Sequence, residues 1–173
     1  MNVQVSHTPA TEIPFPIFRL AAATHEAGHA LTAILLKRKV TGAMLRPPHG
    51  LSGETQFEDE EPVWIDPNFA AGRAVIEDAV IVLLAGQVAE AVFWKAVADR
   101  YRPYVDSHRI DDEHIDELVA VYEFTPEQKA DYLAHCRTRT EGYIHGSASQ
   151  GAINEIAVNL ANNLSIGRKS LDA

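Results

Sequence analysis

Two histidines and a glutamate near the N-terminus have the types and the spacing needed for metal-assisted hydrolysis. Thr24–Ala30 reads Thr-His-Glu-Ala-Gly-His-Ala, so His25 and His29 are four residues apart. Residues four apart on a helix share one face, and both imidazoles can therefore reach one tetrahedral metal ion. Glu26 follows the first histidine and can take a proton from water that a zinc ion has acidified. The pattern predicts a Zn²⁺ site with His25 and His29 as ligands and Glu26 as the general base of a peptidase.

The alternative interpretation is a chance arrangement on an ordinary amphipathic helix. A pattern that fixes three positions, two of them histidine, should arise by chance in roughly 1% of chains of this length. The surroundings favour the functional interpretation, because apolar residues recur at helical spacing from Phe18 to Leu36 and the motif falls inside that predicted helix. A catalytic zinc also needs a third protein ligand, which the rest of this helix, Ala30–Leu36, does not offer.

Several segments resemble the FtsH-like zinc peptidases, peptidase family M41. Thr24–Ala30 is similar to that family's His-Glu-Ala-Gly-His-Ala segment, and Leu83–Glu90 resembles its Leu-Ala-Gly-Arg-Ala-Ala-Glu helix. Lys39–Thr41, Arg46–Pro47 and Leu51–Thr55 resemble the family's strand, turn and Leu-Gly-x-Thr return. The resemblance implies a zinc endopeptidase with a mainly α fold, an active-site helix that carries the His-Glu-x-x-His motif, and a small β-hairpin element.

The resemblance further implies that the third zinc ligand is an aspartate at the start of the helix that follows Leu83–Glu90. Asp111 and Asp112 are the candidates there. The apolar residues after Asp111 match the family's spacing of buried positions better than the same count from Asp112; they are Ile115, Leu118, Val119 and Tyr122. The family's Ser-Asn-Asp triplet is absent. Glu155 ends a Gly-Ala-Ile-Asn-Glu stretch. This stretch superficially resembles the Gly-Ala-x-Asn-Asp form of the family's aspartate motif. We expect Asp111, with Asp112 and Glu155 as the alternatives.

The other polar and aromatic residues allow two interpretations each. Glu90 is either a solvated helix residue or a carboxylate that orients a ligand histidine. Trp64 and Trp94 are expected to be core or pocket wall. The remaining histidines show no ligand spacing, and we expect them to be exposed or structural; they are His7, His49, His108, His114, His135 and His145.

The first half of the chain predicts two helices with a β element between them. Val40–Thr41 and Met44–Leu45 are strand-like, Pro47–Gly50 is a turn, and Gly53–Phe57 can return as a second strand. We expect the residues near Met44 to Phe57 to form an edge strand beside the metal cleft, where an extended peptide can add through main-chain hydrogen bonds. Asp66–Pro67 should open a second helix, and its stretch Ala74–Val97 is apolar nearly all round, which predicts a buried central helix.

The second half predicts three more helices. An apolar stripe at Ile115–Tyr122 marks the third, and a capping box at Thr125–Gln128 opens the fourth, which should reach about Tyr143. Gly146–Gln150 breaks this helix, and the stripe from Ile153 to Leu164 marks the last one.

Composition limits the partners and the location. The 173 residues suit one domain, 1–173, with 1–12 as a flexible tail, and 46% hydrophobic residues are enough for a single core. A net charge of −9 argues against nucleic acid as a partner. The polar segment Met1–Thr11 does not resemble a signal peptide, no apolar run is long enough to span a membrane, and one cysteine fits a reducing compartment. We therefore expect a cytoplasmic protein with no membrane partner.

Three interpretations of function remain open at the level of sequence. The FtsH-like enzymes join their peptidase to an ATPase, and the Gly-x-x-x-x-Gly-Lys-Ser/Thr motif of such a module does not occur here. The chain could act alone on polypeptides, as a monomer or homo-oligomer, without ATP. It could instead be a peptidase subunit fed by a separate unfoldase, or a non-catalytic metal-binding scaffold. The intact Glu26 argues against the scaffold, which needs no base.

Overall fold

The computed structural model describes residues 14–46, 52–58, 66–98, 100–101, 108–168 and 171. The predicted tail at 1–12, the turn at Pro47–Gly50, Trp64, His7 and His49 lie outside these residues. Within them, the chain is mainly helical with one small antiparallel sheet, as predicted. The elements in chain order are α1 (Phe15–Leu35), β1 (Val40–Leu45), β2 (Gly53–Phe57), α2 (Ala70–Ala96), α3 (Arg109–Ala120), α4 (Pro126–Ile144), α5 (Ser147–Asn163) and β3 (Ser165–Gly167). Among the residues that the structure describes, no helix is long and apolar enough to cross a membrane.

Helix α1 begins earlier than the apolar pattern indicates. It starts at Phe15, directly after Pro14, and takes Pro16 into its first turn. A proline is tolerated there because the first amides of a helix have no intrahelical acceptor. The helix ends at Leu35, close to the predicted end, and Lys37 then adopts a left-handed conformation with φ of 62°. The His-Glu-x-x-His motif lies in the buried middle of α1.

The sheet contains the predicted hairpin and one further strand. β1 pairs antiparallel with β2, in a register that sets Val40 opposite Phe57 and Leu45 opposite Gly53. β3 pairs with the other side of β1, so the strand order is β2-β1-β3 and β2 is at an edge. The three residues of β3 are too few to show the period-two alternation by which a strand is predicted. Of the segment near Met44 to Phe57 that was expected at an edge, β2 lies at an edge of the described sheet, whereas Met44 and Leu45 belong to β1, the middle strand.

Helix α2 is the central helix of the fold, although its predicted start at Asp66–Pro67 is wrong. Asp66 Oδ1 accepts the Asn68 amide at 2.8 Å and its carbonyl accepts the Phe69 amide, so Asp66 closes a turn and the helix begins at Ala70. α2 packs closely on α1 at Gly28, where a Cβ would lie 2.5 Å from the carbonyl oxygen of Ala85. No residue larger than glycine fits this crossing without moving the backbone of α2.

Two groups of buried side chains lie on different sides of α2. One joins α1, α2 and α5 to the sheet and includes Leu45, Ile153 and Leu160. The other joins α2 to α3 and α4 and includes Ile115 and Val119. The capping box predicted at the start of α4 is confirmed, since Thr125 and Gln128 bond each other's backbone amides. The second group packs α3 against α2. This packing places the first turn of α3 near the motif on α1.

Candidate metal centre

His25 and His29 form a pair of buried imidazoles on the side of α1 that faces α2. Their exposed fractions are 8% and 6%, and their rings meet edge to face with centroids 4.6 Å apart. The two Nε2 atoms are 2.9 Å apart. The predicted geometry, two imidazole nitrogens one turn apart and aimed at one point, is therefore present.

The outer nitrogen of each ring has a partner that fixes its orientation. His29 Nδ1 donates to the carbonyl oxygen of Val82 at 2.7 Å, because a carbonyl can only accept. His25 Nδ1 donates to Glu90 Oε2 at 3.1 Å. With Nδ1 protonated on both rings, each Nε2 is the nitrogen that can bind a metal ion.

Asp111 brings a carboxylate to the same point from the first turn of α3. Its Oδ2 lies 2.9 Å from His25 Nε2 and 3.5 Å from His29 Nε2. Asp112 points elsewhere, because its Oδ1 accepts a hydrogen bond from Gln87 Nε2 at 2.7 Å. Glu155 is exposed on α5 and is not part of either potential metal-holding group found among the described residues. Of the three candidates, Asp111 is the one that lies beside the histidine pair.

The three atoms suit a single metal ion. Two ligands bound tetrahedrally at about 2.0–2.1 Å from zinc lie about 3.3 Å from each other. The three separations here, 2.9, 2.9 and 3.5 Å, are within about half an ångström of that spacing. Two nitrogens and a carboxylate oxygen are also the donors that zinc accepts in catalytic sites, which keep a fourth position open. The residues present therefore fit a zinc ion, and similar donors also bind other transition metals.

Charges around the site favour a cation. Burial alone lowers the pKa of His25, but hydrogen bonds to Asp111 and Glu90 outweigh it and raise that pKa to about 10, with the charge of Glu26 acting in the same direction. Burial alone raises the pKa of Asp111, yet hydrogen bonds from His25 and His29 hold it well below its usual range. Carboxylates that raise the proton affinity of an imidazole also favour a metal ion at the same place.

Gly86 on α2 leaves the space in which the two histidines meet. A Cβ at this position would lie 2.5 Å from His29 Nε2 and 2.6 Å from His25 Nε2. Such contacts are shorter than atoms tolerate, so a side chain here would displace the nitrogens that form the site. Because it has no side chain, Gly86 makes room for the two imidazoles.

Glu26 is held by β2. The residue is 5% exposed, and its Oε2 accepts a hydrogen bond from Thr55 Oγ1 at 2.9 Å. Gly53 lies so close that a Cβ there would collide with Cγ of Glu26. The edge strand and the motif helix therefore meet at the predicted general base.

Glu90 is a buried partner of His25, which resolves the two interpretations of this residue. It is 3% exposed; Oε2 accepts from His25 and Oε1 accepts from Trp94 Nε1 at 2.8 Å. Hydrogen bonds from His25 and Trp94 keep the pKa of Glu90 low although burial raises it. Trp94 is core, as expected, and it also fixes this carboxylate.

His108 is a member of the site that the sequence did not indicate. Its ring stacks on the ring of His25, with centroids 5.4 Å apart and planes 12° apart, and its Nδ1 lies 3.7 Å from Glu90 Oε2. The signal that could have found it is its position three residues before Asp111, on the same turn as the expected ligand. Of the other histidines in the described chain, His114, His135 and His145 are exposed, as expected.

Comparison with protein families and with curated proteins found no match. No protein-family model matches the sequence, and no curated protein matches it.

Proposed function

We propose that this protein is a zinc-dependent peptidase of the FtsH-like type. The observation that supports the proposal best is that His25 Nε2 and His29 Nε2 of α1 lie within 3.5 Å of Asp111 Oδ2 of α3. The residue after His25 is the buried Glu26. Three ligands with a neighbouring carboxylate are the parts that a metal-assisted hydrolase requires.

Glu26 acts as the base and then as the acid of the proposed reaction. A bound zinc ion would act as a Lewis acid. It would lower the pKa of water towards about 7 and polarise the scissile carbonyl. Glu26 takes a proton from the attacking water and delivers it to the leaving amine. Thr55 donates a hydrogen bond to Oε2 of Glu26. The other carboxylate oxygen, Oε1, is therefore the one that accepts and delivers the proton.

The proposed substrate is a polypeptide in an extended conformation. β2 is an edge strand of the described sheet, and residues of β2 line an open cleft of about 570 Å³ together with Arg38, Thr41 and Glu58. An extended segment can pair with such an edge through main-chain hydrogen bonds, which do not depend on its sequence. Action without ATP, a separate unfoldase that delivers the substrate, and a cytoplasmic location stay predictions from the sequence.

The test is hydrolysis of fluorescently labelled casein by zinc-loaded protein, with Glu26→Gln as the decisive variant. Glutamine cannot accept the proton, so we expect a loss of about 10²- to 10⁴-fold in kcat with one zinc per chain retained. Glu155→Gln is the matched control, since it makes the same chemical change at an exposed position and should change neither quantity. Hydrolysis at the wild-type rate by Glu26→Gln would reject Glu26 as the base, and inactive wild type with full zinc would support the scaffold.

A further inference from the structure

The turn that begins α3 brings two side chains to the metal centre, and the peptidase role of Asp111 uses only one of them. Asp111 reaches the Nε2 side of His25, while the ring of His108 lies nearly parallel to the ring of His25. The amide of Asp112 donates to the carbonyl of His108 at 3.0 Å, so the two side chains belong to one hydrogen-bonded turn.

The His25 ring is contacted from several directions. Glu90 Oε2 holds its Nδ1 at 3.1 Å, and the His29 ring meets its edge at an interplanar angle of 81°. His108 is nearly parallel to it, at 12°, and a centroid separation of 5.4 Å lies within the range of offset-stacked aromatic pairs. A parallel neighbour opposes rotation of the imidazole about its Cβ–Cγ bond, which is the motion that would swing Nε2 away from the metal.

His108 meets His25 through its ring, and it also lies near Glu90, the partner of His25. Its Nδ1 is 3.7 Å from Glu90 Oε2, a separation beyond hydrogen-bond distance. Glu90 already accepts from Trp94 and His25 at 2.8 and 3.1 Å. The contact that His108 makes with His25, a predicted ligand, is ring stacking.

We propose that His108 is a positioning residue of the metal centre, whose stacked ring holds His25 in the orientation that binds zinc and thereby slows zinc release. The inference rests on the proposed zinc site and adds a residue outside the His-Glu-x-x-His motif. Residues that orient metal ligands typically change metal affinity by about 10- to 100-fold when they are removed.

The experiment measures zinc dissociation into a chromophoric chelator, with no peptide present. We expect His108→Ala to release zinc about 10- to 100-fold faster than wild type, whereas His108→Phe, which keeps a stacking ring without nitrogens, should release it within a few-fold of wild type. His114→Ala is the matched control, an exposed histidine on the same helix, and should leave the rate unchanged. The visible spectrum of the Co²⁺-substituted protein should change in His108→Ala and be restored in His108→Phe, which a merely structural loss would not produce.

Two results would overturn the positioning role. Release at the wild-type rate by His108→Ala would show that the ring does not hold His25. Release by His108→Phe as fast as by His108→Ala, or a second zinc equivalent that only the His108 variants lose, would assign the role to a nitrogen and make His108 a ligand. A wild-type protein that binds no zinc would reject this inference together with the proposed function, whereas one that binds zinc without hydrolysing casein would reject the proposed function alone.

Discussion

At the scale of single residues, Glu26 is positioned by β2 and not by its own helix. Thr55 Oγ1 donates to Glu26 Oε2 at 2.9 Å, and Gly53 allows the carboxylate to lie against the strand. The spacing of the motif predicted that the His25 and His29 rings lie together, because that geometry is local to one helix. It could not predict Thr55, since the approach of β2 to α1 depends on tertiary packing. For the same reason the stacking of His108 on His25 was missed.

Thr55→Val tests this positioning. Valine has nearly the same shape but cannot donate, so Glu26 loses its partner and the carboxylate can shift. We expect kcat to fall by about 10- to 100-fold, the size of effect that misplacement of a reacting group produces, with zinc content unchanged. Thr138→Val makes the same chemical change at an exposed position on α4, where Oγ1 donates to the carbonyl of Ala134, and should behave as wild type. Unchanged kcat in Thr55→Val, measured beside its zinc content, would show that the hydrogen bond is not needed.

At the scale of elements, the contact between α1 and α2 decides whether the site can form. Periodicity predicted both helices and the burial of α2, because apolar residues on all sides of a helix leave no face for water. The predicted start of α2 was wrong because Asp66 and Pro67 suit a turn as well as a helix start. The resemblance of Leu83–Glu90 indicated that this part of α2 matters, but periodicity alone could not show that Gly86 lies against the two imidazoles.

Gly86→Ala and Gly151→Ala make the same change inside two helices with different surroundings. Alanine favours a helix over glycine by about 1 kcal/mol, and a Cβ at Gly151 has no atom within 4 Å. Gly151→Ala should therefore be more stable by roughly 0.5–1 kcal/mol, measured by urea unfolding, and should keep its zinc. Gly86→Ala should lose most of its zinc, because the new methyl group displaces both Nε2 atoms. Full zinc content in Gly86→Ala would contradict the packing described for this crossing.

At the scale of the whole molecule, the proposed zinc ion joins parts of the chain that are remote in sequence. The two histidines come from α1, whereas Asp111 comes from α3, and α3 packs on α2 through Ile115 and Val119. The apolar spacing after Asp111 buries α3 on α2 and thus brings its first turn to α1. This explains why a pattern of hydrophobic residues distinguished Asp111 from its neighbour, although neither aspartate has a local motif.

The zinc content of Asp111→Ala compared with Asp112→Ala, by elemental analysis of the purified proteins, tests the proposed metal centre most directly. Both variants remove a carboxylate from the first turn of α3, so they share any loss of helix-start charge. Asp112→Ala also breaks the hydrogen bond to Gln87, which should cost about 0.5–1.5 kcal/mol of stability and no metal. We predict one zinc per chain in wild type and in Asp112→Ala, and a sharp loss in Asp111→Ala. Wild-type zinc content in Asp111→Ala, or a loss confined to Asp112→Ala, would contradict the proposed ligand set.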